Sequence, residues 1–272
     1  MISVIVISLD KNIEHIQKEL SKQTFQDFEL VKVFGEKPAS RARNKGAQKA
    51  KGDILIFVDD DMIFGSKSDL SNMISFIKNN GKSLGAVGSG LLIPKDANSF
   101  EKRLKKEIKR IEIIPSDKNI EAGDKLTGVF FGIKKDVYQK FNGLDNNLTS
   151  GSDREFFYRL KEAGYKNYFL KNTFVYHHPP QSLKALLKKY YWYGIGHFQA
   201  SIKHPNWKIG PNLNNSFKLW LYFLARTLYF PIHVFLDTSF SEKKFRAGFF
   251  PLRALASYAS LCGFIRAYYL KK

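Results

Sequence analysis

Ile54-Leu55-Ile56-Phe57-Val58-Asp59-Asp60-Asp61 sets an unbroken apolar run against three consecutive carboxylates. Five apolar residues without alternation predict a strand buried on both faces, as in the middle of a parallel sheet. Ligands of such sheets bind beyond the carboxyl ends of the strands, which is where Asp59, Asp60 and Asp61 fall. Like charges this close disfavour one another's ionisation unless a cation offsets them. Mg²⁺ joins one or two carboxylates to substrate phosphates, so the stretch points to a metal–diphosphate site. A solvated acidic turn is the plainer reading of the same residues, because Asp is common where strands end.

Upstream, residues 2–7 (ISVIVI) predict a second buried strand ending at Ser8-Leu9-Asp10. Ile13, Ile16 and Leu20 share one face at helical spacing. Residues 28–33 predict the next strand, and residues 39–50 a helix whose small face, Ala42, Gly46 and Ala50, can approach a sheet closely. Gly52 stands where a helix C-terminus favours a left-handed residue. The order β-α-β-α-β predicts an α/β fold, a doubly wound and mostly parallel sheet with helices on both faces.

Composition agrees with a folded chain large enough for a sizeable core: 272 residues, 44% hydrophobic and 25% charged. The net charge of +19 is unevenly spread, since residues 181–272 carry 14 Lys and Arg against Asp237 and Glu242, a net of +12. A basic tail calls for a polyanionic partner, nucleic acid or an anionic membrane surface. The single cysteine, Cys262, excludes an intrachain disulfide and fits a reducing compartment. No basic leader precedes an apolar core, so a signal peptide is not expected.

Downstream, residues 70–77 predict a helix and 84–93 a glycine-broken strand. Residues 101–112 predict a helix with Leu104, Ile108 and Ile111 on one stripe and a solvated charged face. Residues 126–133 predict a strand in which Gly128 would let a ligand approach the backbone. Ser152 and Glu155 have capping-box spacing, with Asp153 in the first turn between them. There the helix dipole favours a carboxylate, which suits a structural Asp and an ionised catalytic base equally. Residues 174–178 predict a strand ending in His177 and His178, of which one at most should face a given site.

From Gln181 the chain becomes basic and aromatic. Leu183, Leu186, Leu187, Tyr190 and Tyr191 form a stripe backed by Lys184, Lys188 and Lys189, followed by Trp192 and Tyr193. Residues 217–236 are long enough to cross a bilayer, but Arg226 at the centre adds ~2.5–3.5 kcal/mol to insertion. Pro231 would kink such a helix. A helix lying in the interface, with Lys218 and Arg226 reaching head groups, accounts for the stretch better. Residues 247–265 resemble it, interrupted by Pro251 and Arg253. An ordinary helical subdomain is the alternative.

These pieces in this order resemble the family 2 glycosyltransferases, inverting enzymes with the GT-A fold, over about residues 2–200. The matching segments are Gln23-Thr24-Phe25-Gln26-Asp27-Phe28-Glu29-Leu30, Ala42-Arg43-Asn44-Lys45-Gly46 and Gly52-Asp53-Ile54 through Asp61. Thr127-Gly128 to Lys134 and Asn142-Gly143-Leu144-Asp145 resemble the acceptor-side segment. Gly151-Ser152-Asp153-Arg154-Glu155, with Arg159-Leu160 and Gly164, resembles the segment that carries the catalytic base. Val175-Tyr176-His177 matches a strand-end histidine.

The resemblance implies Asp153 as general base, Ser8, Arg43, Asp59 and Asp60 on the nucleotide side, and Asp59, Asp61 and His177 toward a metal, Mg²⁺ or Mn²⁺. It implies a nucleotide-diphosphate sugar as donor and a glycan or lipid-linked acceptor. Residues 1–200 would be the catalytic domain, and 201–272 a helical region at the cytoplasmic face of the membrane, with nucleic acid the less favoured partner. Three positions depart from the family pattern. Ile7-Ser8-Leu9-Asp10 replaces Pro-x-Tyr-Asn, Phe34-Gly35 replaces an acidic pair, and Ser152 replaces a glutamate. The first two leave the nucleobase open. Two other functions compete: a non-catalytic module binding membrane or nucleic acid, and a nucleotidyltransferase. The latter lacks a glycine-rich loop after the first strand, where Ser8-Leu9-Asp10-Lys11-Asn12 offers little to cradle a triphosphate.

Overall fold

The structure, a computed structural model, describes residues 1–207, 216–239 and 244–270. The parts of the basic region at 208–215, 240–243 and 271–272 lie outside the described residues. The chain divides into two compact units, one of residues 1–95, 112–147 and 152–178, the other of 96–111, 148–151 and 179–272.

The first unit opens with β1 (Ile2–Ser8), α1 (Glu14–Ser21), β2 (Glu29–Phe34), α2 (Ala39–Lys49) and β3 (Ile54–Asp59). It continues with β4 (Ile63–Phe64), α3 (Asp69–Asn79) and β5 (Leu84–Leu92). After α4 (Ser99–Glu107), which belongs to the second unit, come β6 (Ile120–Glu121), β7 (Phe130–Lys134) and α5 (Lys135–Lys140). The unit closes with α6 (Ser152–Glu162) and β8 (Lys166–Tyr176). The sheet runs β2-β1-β3-β7-β5-β8-β4, with β6 added on β8. β1, β2, β3, β5 and β8 share one direction, while β7 enters antiparallel between β3 and β5.

The unbroken apolar runs conceal a strict alternation. Ile54, Ile56 and Val58 of β3 join Ile2, Val4 and Val6 of β1 on one face, beneath α1 and α3. Leu55 and Phe57 join Ile5, Phe131 and Ile133 on the other, beneath α2, α5 and α6. Phe57 stacks on Phe131 with centroids 4.6 Å apart, locking β3 to its antiparallel neighbour. Both faces are covered, so neither can show the polar alternation of a half-exposed strand.

Several local expectations change. Gly52 is not left-handed, being absent from the positive-φ residues. It is glycine because the backbone is crowded: a Cβ there would lie 2.7 Å from the Met1 carbonyl and the Ser3 nitrogen. The strand expected at 126–133 begins only at Phe130, and the helix expected at 101–112 ends at Glu107. Ser152 is itself the first residue of α6, and Glu155 pairs with Arg159 Nε at 2.8 Å.

Asp69, the first residue of α3, is wholly buried. Burial pushes its carboxyl up to about 6, although Ser66 N–H donates to Oδ2 at 2.6 Å. The folded chain therefore holds this proton more tightly than the unfolded chain. The contribution is intact below pH ~4, declines as pH rises through about 6, and leaves the fold weaker above by roughly 3 kcal/mol. Asp69→Asn should remove that decline. Urea midpoints near pH 4 and pH 8 should differ less for the variant than for the wild type, and equal differences would refute the assignment.

The second unit contains α4, α7 (Leu183–Lys203), α8 (Ser216–Leu228), α9 (Phe230–Phe235), the hairpin β9 (Leu236–Ser239) and β10 (Lys244–Ala247), and α10 (Pro251–Leu270). α7 and α10 cross closely through small residues. A Cβ on Gly194 would fall 1.8 Å from the Ser260 carbonyl, and one on Gly263 2.0 Å from that of Tyr191. Leu104 and Ile108 pack with Leu186, Leu252 and Ala256. Buried Glu107 accepts the Leu252 N–H at 2.6 Å, so a charge run that reads as a solvated face also caps a helix 145 residues away. The stretch 217–236 is split between α8 and α9. Among the described residues no helix is long and apolar enough to cross a membrane.

Candidate active site

Parallel pairing of β1 with β3 sets Ile7 opposite Asp59, so Ser8 and the aspartates share one rim of the sheet. Ser8 Oγ accepts the Asp10 N–H at 3.2 Å, tightening the exit from β1. Asp60 follows, half-buried. The chain then turns into β4, which pairs antiparallel with β8, Ile63 against Tyr176. That pairing carries His177, the residue after β8, to the aspartates. His177 Nε2 lies 3.3 Å from Asp61 Oδ1, and the backbone N–H of His177 donates to the Leu92 carbonyl at 3.0 Å. Asp59, Asp61 and His177 each present a ligand atom, all within 4.8 Å of one another.

Arg43 enters this rim from α2. Its side chain is 8% exposed, and Nη2 donates to Asp59 Oδ1 at 2.6 Å and to the Gly128 carbonyl at 2.9 Å. Burial works to lower the guanidinium pKa, but Asp59 and Asp153 outweigh it, so Arg43 stays charged. Burial raises the Asp59 carboxyl, with Arg43 and His177 pulling it back. The rim therefore favours added positive charge, and its two carboxylates supply the oxygen donors that suit Mg²⁺ or Mn²⁺, with the His177 imidazole as a nitrogen donor beside them.

Asp153 lies in the first turn of α6, and its Oδ2 accepts the Gly128 N–H at 2.8 Å. Gly128 is thus gripped from both ends, its N–H by Asp153 and its carbonyl by Arg43. A Cβ there would sit 3.0 Å from Asp153 Oδ2 and 3.3 Å from the guanidinium, so the space opened by this glycine is filled by the site's own side chains. Gly128 and Arg43 bring Asp153 into the same cluster as Asp59.

Other motif residues hold the frame. Asn44 Oδ1 accepts from the Tyr138 hydroxyl at 2.6 Å and from the Leu144 N–H at 3.0 Å, while its Nδ2 donates to the Leu144 carbonyl at 2.7 Å. Arg159 Nη1 and Nη2 donate to the Phe141 and Gly143 carbonyls at 2.5 and 2.7 Å. The turn between those carbonyls is left-handed at Asn142 and Gly143, with φ of 56° and 62°. Asn44 and Arg159 thus tie distant segments together, and the sequence gives no sign of these partners because they lie far along the chain.

The mannosyltransferase PcManGT of Pyrobaculum calidifontis, in complex with GDP-Man and Mn²⁺, superposes with a TM-score of 0.59 at 13% identity, covering 100% of this chain and 88% of that one. S. aureus TarS 1-349, in complex with UDP-GlcNAc, superposes with a TM-score of 0.51 at 14% identity over 77% of this chain and 68% of its own. At such identities the likeness carries the fold alone, which is GT-A. Glycosyltransferase AglE of Haloferax volcanii is 25% identical over 198 residues, or 72% of this chain, and the chain spans 63% of that relative's length. The family model for glycosyl transferase family 2 matches residues 4–141. The chain belongs to glycosyl transferase family 2.

Proposed function

We propose that the chain is an inverting glycosyltransferase that moves a sugar from a nucleoside diphosphate donor to a hydroxyl of a glycan or lipid-linked acceptor. One observation carries this reading: Asp59, Asp61 and His177 converge within 4.8 Å on the rim where Arg43 and Gly128 also fix Asp153. Asp59, Asp61 and His177 would hold Mg²⁺ or Mn²⁺, whose positive charge stabilises a departing diphosphate. The Pyrobaculum relative holds GDP-Man with Mn²⁺, and GalNAc-T7 holds UDP, GalNAc and Mn²⁺, which supports a donor and metal of this kind. Ser8 and Asp60 stand on the nucleotide side of the rim. Arg43 orients Asp59 from below.

Asp153 acts as the general base. With Oδ2 held by Gly128, Oδ1 takes the proton of the acceptor hydroxyl as its oxygen attacks the anomeric carbon and the bond to the diphosphate breaks. One displacement inverts the anomeric centre and needs no carboxylate nucleophile. The first compact unit is the catalytic one. The basic second unit places the chain at the anionic inner face of the cytoplasmic membrane.

A thermal-shift screen of nucleoside diphosphates and their sugars with Mn²⁺ or Mg²⁺ tests the donor side. A ligand at 100 times its Kd stabilises the native state by about 2.7 kcal/mol. Asp61 is 64% exposed, so Asp61→Ala should leave the unliganded melting temperature unchanged while abolishing the metal-dependent part of the shift. A variant that kept that part would remove Asp61 from the metal site.

A further inference from the structure

We propose that the outer stripe of α8 (Phe217, Trp220, Leu221, Leu224 and Leu228) is a docking face that lays the second unit along an anionic lipid surface. This deepens the membrane placement proposed above and does not depend on the catalytic chemistry. The five side chains are between 50% and 79% exposed. Their spacing puts them on one side of a helix. Single exposed apolar residues are ordinary, but a contiguous stripe marks an interaction site. Ile232 and Phe235 on α9, the next helix, are also exposed, 48% and 56%.

The opposite side of α8 is packed. Leu219 is buried with Phe198 and Phe264. Arg226, expected to reach head groups, instead donates from Nη2 to Ser257 Oγ on α10 at 2.5 Å. The central charge that argued against a lipid-facing helix is therefore off the stripe. α8 has 13 residues, too short to span a hydrocarbon core, so it lies along the surface. Trp220 supplies the amphipathic ring favoured at that depth. It also lines an apolar cavity of about 270 Å³ with Leu219, Phe223, Cys262 and Ile265.

Charge selects the occupant. Residues 181–236 contain Lys and Arg but no Asp or Glu. A second copy of the face would bring like charge against like, whereas an anionic bilayer is complementary.

The test is co-flotation of the full chain with vesicles of phosphatidylcholine alone or mixed with phosphatidylglycerol. Wild type should float with the mixed vesicles and less so in high salt. Leu224→Glu/Leu228→Glu should weaken partition at least about tenfold. Both side chains are solvent-exposed, so the variant should keep its melting temperature and its donor-dependent thermal shift. Brominated lipid should quench the wild-type tryptophan fluorescence, and Trp220→Phe should lose most of that quenching. Equal flotation of the glutamate variant overturns the proposal, as does a wild type that does not float. A wild-type dimer dissolved by the same substitutions, without flotation, assigns the face to a second copy. Because donor binding is read separately, failure here is distinguishable from failure of the catalytic reading.

Discussion

Asp153→Asn should lower kcat by about two to four orders of magnitude while leaving donor binding and the melting temperature close to wild type. The size is that of a positioned general base withdrawn from the transition state. The amide keeps the shape of the carboxylate, and its oxygen can still accept the Gly128 N–H that Asp153 Oδ2 takes at 2.8 Å. Losing a carboxylate from the first turn of α6 weakens the helix by only about 0.3–1 kcal/mol. Initial rates with the donor identified by the thermal-shift screen, beside that donor's stabilisation of the variant, separate chemistry from binding. Undiminished turnover would exclude Asp153 as the base. A fall in donor stabilisation as large as the fall in rate would make it a binding residue.

Arg43→Met should weaken the fold by about 3 kcal/mol, because it leaves the half-buried Asp59 without its 2.6 Å partner. The effect sits at the lower end for a broken buried pair, since Arg43 Nε already lacks a partner among the described residues and its removal relieves part of the loss. Burial raises the Asp59 carboxyl and Arg43 opposes that rise, so the variant's Asp59 binds its proton still more tightly. A raised carboxyl favours the fold at low pH and loses that contribution as pH rises. The destabilisation should therefore be small in acid and full at neutral pH. Urea unfolding of the variant at both pH values, and of Arg43→Met/Asp59→Asn, checks this. The double variant should regain most of the stability, and a double variant as weak as the single one would show that the loss is packing.

The sequence by itself determined the parts whose signal is local. An apolar run closed by three carboxylates is a buried strand with an acidic end, because both properties belong to neighbouring residues. The stripe Ile13, Ile16 and Leu20 marks a helix for the same reason, and all three are buried, Ile13 from the position just before α1. The ordered motifs identified the family, and the strand-end histidine was visible as one of two neighbours. Only the tertiary structure decided which partners those residues meet. His177 reaches Asp61 because β4 doubles back on β8. Arg43 meets Asp59 and Gly128, and Glu107 caps α10, through hydrogen bonds that span 16, 85 and 145 residues. Arg226 turns inward because Ser257 waits on another helix. The physical reason is common to all four: periodicity and propensity act over one or two turns of chain, whereas a polar side chain or an orphan N–H pairs with whatever group folding brings within hydrogen-bonding reach.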